Sequence, residues 1–128
     1  MKGFTLVELM VSLGVLVVGL LGILLANTYT EKASQGAYER MVTLQDAHRA
    51  IELMRSASAT GDFPTNVTSA FPNEARVTGF NNLSGEQVIV TYPDSKADPL
   101  DLTVTTSWKE RGVRNFSIRL RTLMTKRN

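Results

Sequence analysis

Leu9-Met10-Val11-Ser12-Leu13-Gly14-Val15-Leu16-Val17-Val18-Gly19-Leu20-Leu21-Gly22-Ile23-Leu24-Leu25-Ala26 decides the architecture of this chain. It runs for about 18 residues without a charge, close to the ~20 that a helix needs to cross a bilayer. Phe4 to Val7 bring it to full length. Lys2 is the only charge ahead of Glu8, which predicts a single-pass segment with its N-terminus on the cytoplasmic side and the bulk of the chain beyond the membrane. Glu8 stands at the edge of the span, where an ionisable group is costly and calls for a partner. An interfacial carboxylate in the headgroup region would need none. Position alone leaves both readings open.

A cleaved secretory signal would require a charged n-region, a short apolar stretch and a small-residue exit. Here the apolar run is too long and Ala26-Asn27-Thr28 is a poor exit, so the segment is expected to be kept. From Asn27 onward the pattern turns amphipathic without a break. Ala33, Ala37, Met41, Leu44, Ala47, Ile51 and Met54 recur at three- and four-residue spacing, which predicts a packing stripe. Glu31, Lys32, Glu39, Arg40, Asp46, Arg49, Glu52 and Arg55 are expected on the opposite, solvated or subunit-pairing side. Gly36 costs about 1 kcal/mol against Ala but does not stop a helix anchored on both sides. Gly61 with Pro64 behind it supplies the stop. One helix from Phe4 to Thr60 would measure roughly 85 Å, a length suited to a filament core rather than to a small isolated domain.

Four segments follow: 1–3 as a leader, 4–26 as the apolar half of the helix, 27–60 as its amphipathic half, and 61–128 as a small β-rich head. With roughly 70 residues the head is near the lower limit for an independent core and is expected to lean on the helix. Asp62 to Asn73 reads as a loop holding Pro64 and Pro72, and Ala75 to Phe80 as a short edge strand. Glu86 to Tyr92 is β-rich and stops at Pro93. Leu100, Leu102, Val104, Thr106 and Trp108 alternate with polar residues, Lys109 to Gly112 form a turn, and Phe116, Ile118 and Leu120 alternate in return. The predicted fold class is α+β: a long N-terminal helix against a small antiparallel sheet, with Trp108 and Phe116 in the seam.

Composition narrows the function. The 128 residues contain no cysteine and one histidine, His48, so neither a Cys/His nor a Ser/His/Asp set can be assembled convincingly. A lone His on a helix reads as a packing residue. Net charge is +2, too small to suggest nucleic acid, although seven bases and one acid follow Trp108. No phosphate loop or metal-spaced cluster stands out, so no cofactor is expected. Asp94, Asp98 and Asp101 in a Pro-bounded loop are weak calcium candidates, with a solvated turn as the default. Gly22 and Ala26 have the small-xxx-small spacing that lets helices approach in lipid, and Gly14 and Gly19 lie in the same span. Glycine is also simply common in membrane helices.

Met1-Lys2-Gly3-Phe4-Thr5-Leu6-Val7-Glu8 followed by an apolar helix resembles the class III signal of type IV pilins and type II secretion pseudopilins. The resemblance implies that a prepilin peptidase cuts between Gly3 and Phe4 and N-methylates the new Phe4 amine. It also gives Glu8 a partner, the N-terminal amine of a neighbouring subunit. A buried charge pair of that kind sets registry better than it adds stability. The run Val15 to Gly22 is similar to the span of minor pilins of the PilV (type IV pilus modification protein) kind, and also to I-type minor pseudopilins. Many major pilins carry a Pro near the end of the span and a C-terminal Cys pair, both missing here. The resemblance implies the pilin fold, no enzymatic activity, other pilins or pseudopilins and an inner-membrane assembly platform as partners, and an inner-membrane location followed by a pilus. A pseudopilin of type II secretion is the alternative, and an enzyme tethered by the helix a distant third.

Overall fold

The computed structural model describes residues 5–126. Helix α1 spans Leu6–Ser58, 53 residues without interruption. Its sequence has no proline, and its ends match the helix dipole, with Glu8 in the first turn and Arg55 in the last. At the far end Gly61 turns the chain at φ +88°, a region that costs a residue with a Cβ. The exposed carbonyls of the last turn find donors: Asn66 Nδ2 reaches Ala57 O at 2.6 Å and also caps Thr60 O, while Ser58 Oγ donates to Arg55 O at 2.7 Å.

The chain divides into two compact units, Met1–Ala37 and Tyr38–Asn128. The first is helix alone over its described residues. In the second, the later part of α1 packs on a four-stranded antiparallel sheet in the order β1-β2-β3-β4. The strands are β1 Arg76–Val77, β2 Gln87–Thr91, β3 Leu100–Glu110 and β4 Arg114–Met124, with a short helix α2, Thr65–Ala70, ahead of them. This is the α+β layout the alternation implied. The long pair is β3 with β4, in register from Leu100↔Met124 to Glu110↔Arg114. Its turn carries φ of +50° at Arg111 and +71° at Gly112, the sign pattern of a type I′ turn that matches strand twist. β1 pairs through only two residues, Arg76↔Ile89 and Val77↔Val88, so the expected Ala75 to Phe80 strand is much shorter than its sequence suggested.

The core sits between α1 and the inner face of the sheet. Ala47, Ala50 and Met54 meet Val88, Val90, Leu100, Leu102 and Val104, with Val67 of α2 closing one end. Two alanines on the helix let the sheet come close, and each large side chain buried contributes about 1.5–3 kcal/mol against its ordering entropy. The expected helical stripe is buried at Ala47, Ile51 and Met54 but not at Met41 and Leu44. Met41 and Leu44 are 52% and 40% exposed, whereas Glu39, Thr43 and Asp46 are buried. The face toward the sheet is therefore rotated toward residues 39, 43, 46, 47, 50 and 54. The loop expected at 62–73 also differs, because α2 forms there to bury Val67.

Candidate functional site

Gly3 and Phe4, the expected cleavage and methylation positions, lie outside the described residues. The described chain opens with a helix cap. Thr5 Oγ1 accepts the Glu8 N–H at 3.3 Å, and Thr5 O accepts the Leu9 N–H at 3.1 Å, the first bond of α1. Thr5-x-x-Glu8 has the spacing of a capping box, a signal visible in the sequence that the pattern of apolar residues overshadowed. Glu8 is thereby fixed in the first turn and exposed, at the edge of the apolar span. Ser12 Oγ returns a hydrogen bond to Glu8 O at 2.8 Å, satisfying its hydroxyl within the helix.

From Leu6 to Leu25, fifteen large apolar side chains stand 47–75% exposed. An 18-residue window within this helix has a mean hydropathy of 2.8. Leaving so much apolar surface in water is unfavourable by about 25 cal/mol per Å², so the segment is built for lipid or for other apolar helices. A Cβ added to Gly14, Gly19 or Gly22 would meet nothing within 4 Å. None of the three is demanded by contacts within the chain, and Ala26 lies on the same uncovered stretch.

The head is fastened to α1 by two acids that the charge pattern had placed on the solvated side. Glu39, 7% exposed, accepts the Trp108 indole N–H at 3.3 Å and the Arg111 N–H at 3.4 Å, tying the β3–β4 hairpin to the helix. Trp108 in turn stacks on Phe116 with centroids 5.8 Å apart, and Arg40 and Arg114 lie over the Phe116 ring. Asp46, one heptad further, accepts both bonds of the Asn82 amide at 3.1 and 2.9 Å. Spacing of seven puts both acids on one face, but only the sheet's position shows which face is covered. Tyr92 donates its hydroxyl to Phe71 O at 3.0 Å, and burial pushes its pKa to about 12.

The three aspartates proposed from sequence as calcium candidates have separate engagements or none in common. Asp94 Oδ1 accepts the Lys96 N–H at 2.9 Å. Asp101 forms a two-pronged pair with Arg121 at 3.0 and 2.5 Å, and that guanidinium holds its carboxyl below the usual range. Among the described residues no group of three or more His, Cys, Asp or Glu is placed to hold a metal ion. His48 is exposed on α1.

Residues 1–24 match the family model of the prokaryotic N-terminal methylation motif. No curated protein and no solved structure matches the chain. The motif supports a type IV pilin or pseudopilin, a class of structural subunits, and the fold is the α+β arrangement of such proteins. It implies processing by prepilin peptidase and assembly with other pilins, and the apolar helix is consistent with inner-membrane anchoring.

Proposed function

We propose that this chain is a minor pilin: a subunit cut between Gly3 and Phe4, methylated on the Phe4 amine, stored in the inner membrane and then built into a type IV pilus, where it primes assembly or modulates adhesion and motility. The observation that carries the reading is the methylation motif at residues 1–24 running directly into an uncovered apolar helix. Residues 4–26 would serve first as the anchor, then as part of the filament core. Residues 27–60 would carry the head formed by 61–128. In the assembled filament, Glu8 would register on a neighbour's amine and the small residues Gly14, Gly19, Gly22 and Ala26 would allow close packing. No cofactor enters this scheme.

Processing is tested by coexpression with a prepilin peptidase and mass spectrometry of the product. Loss of the first three residues with gain of one methyl on Phe4 supports the reading, and an uncut chain refutes it. Glu8→Ala should leave cutting intact and hinder entry into filaments; normal incorporation removes its registry role. Gly19→Leu with Gly22→Leu should impair assembly, and unchanged incorporation removes the packing role. A deletion strain separates the two machines: loss of surface pili or twitching supports the pilus, whereas loss of exported enzymes with normal pili makes the chain a minor pseudopilin of type II secretion.

A further inference from the structure

The loop between β1 and β2, at 81–86, is folded on the Glu86 carboxyl and held to α1 by that of Asp46, two groups that play no part in the filament reading. Glu86 is 1% exposed and Asp46 5%. Glu86 Oε2 accepts the N–H groups of Asn82 at 2.8 Å and Leu83 at 3.1 Å. Both Asp46 oxygens are served by the Asn82 side chain, so Asn82 binds Glu86 through its backbone N–H and Asp46 through its amide. Glu86 Oε1 is buried and has no donor. With both groups ionised neither can donate, and two negative charges would share a site closed to water.

No ion pair to either carboxyl forms among the described residues. The Arg76 guanidinium donates to the Glu86 backbone carbonyl at 2.8 Å, the Arg49 guanidinium lies over the Phe80 ring, and Lys109 runs its stem along Gly85. The other acid on this helix face, Glu39, is engaged by Trp108 and Arg111. A calcium ion would want six or more oxygens, which two carboxyls do not supply. One proton fits what is present.

We propose that Glu86 holds a single proton in this closed loop, which locks the 81–86 loop onto α1 through Asn82 and whose loss releases it. Placed on Glu86 Oε1, the proton neutralises a buried oxygen that no donor serves. Burial first, and the neighbouring Asp46 second, raise the Glu86 pKa, outweighing the two loop N–H groups that lower it. The closed loop therefore binds the proton more tightly than the open loop does. Closure is fully favoured below the ordinary carboxylate range and weakens as pH rises toward the raised Glu86 pKa. The loop becomes a sensor of rising pH above the ordinary carboxylate range, independent of which filament the chain joins.

The test uses the full chain in detergent micelles and follows hydrogen-exchange protection of the Asn82 and Leu83 amides against pH. Val90 in β2 and Val104 in β3 report global opening. Loop protection, corrected for intrinsic exchange, should fall by up to about tenfold per pH unit, the limit for one proton, while the reference amides hold. Glu86→Gln should abolish the dependence, because its amide cannot ionise while its carbonyl still serves the loop N–H groups. Asp46→Asn should flatten it as well, by removing the like charge. Protection independent of pH in the unaltered chain, or an equally steep fall in Glu86→Gln, overturns the proposal. Protection restored at high pH by calcium also overturns it, in favour of a cation.

Discussion

Replacing Glu39 by alanine removes the acceptor for the Trp108 indole N–H and the Arg111 N–H, and its cost follows from the geometry. Trp108 is buried, so its N–H would be left without a partner, a loss of about 1–3 kcal/mol. The 3.3 and 3.4 Å separations are long, and the partly buried Arg111 N–H can take up water, which favours the lower half of that range. Alanine returns a few tenths of a kcal/mol in helix propensity. The net loss is about 1–2 kcal/mol, or about 5–15 °C in melting temperature for a unit of this size. Trp108 is the sole tryptophan in the chain, so its fluorescence in a thermal melt reports on the clamp itself. Glu39→Gln keeps an acceptor and should lose less than half as much. A shift under about 2 °C for Glu39→Ala would refute the clamp; equal loss in both variants would show that charge, not the hydrogen bond, is what counts.

Met54→Ala should destabilise the head by about 2–5 kcal/mol through a core cavity, whereas Met41→Ala should stay within about 0.5 kcal/mol, as checked by denaturation of each variant in micelles. Equal losses would contradict the rotated helix face. Tyr92 ionises at about 12 in the folded head against 10 for the free side chain, so the folded state keeps a proton that the unfolded chain loses. Stability should therefore decline between about pH 10 and 12. Melting curves of Tyr92→Phe should lack that added decline and show a loss of about 1 kcal/mol at neutral pH from the missing bond to Phe71 O. Asp101→Asn should leave the melting temperature almost unchanged despite its two bonds to Arg121, because the guanidinium stands in solvent; a large drop would show that the pair braces β3 against β4.

The parts of the fold that obey a repeating pattern could be read without coordinates. Leu100 to Trp108 alternates for long enough that the inward set was determined by period two, and the return strand follows from the turn at Arg111 and Gly112. The continuous helix was legible from the absence of proline before Pro64. What could not be read was the angular position of the sheet on that helix. Met41 and Leu44 continue the Ala47 stripe as well as Thr43 and Ala50 do, and the exposed pair is the more apolar. The covered face instead admits Glu39 and Asp46, because Trp108, Arg111 and Asn82 bring donors to them. Those donors are 36 to 72 residues away in the chain, beyond any local pattern. At the N-terminus the reverse holds. Thr5 and Glu8 are three residues apart, and the cap they form was written in the sequence.

The strand order leaves β4 at one margin of the sheet, eleven residues long and bonded to β3 on one side only. A margin of that length can template another strand, and a filament holding many heads at close quarters would multiply the opportunity. β4 carries Arg114, Arg119 and Arg121, and its opposite margin at β1 is only two residues long and carries Arg76. Two such margins meeting would bring arginines against arginines across the new pair, which is unfavourable. The arginines along β4 thus oppose pairing of this open margin with the same margin of another copy.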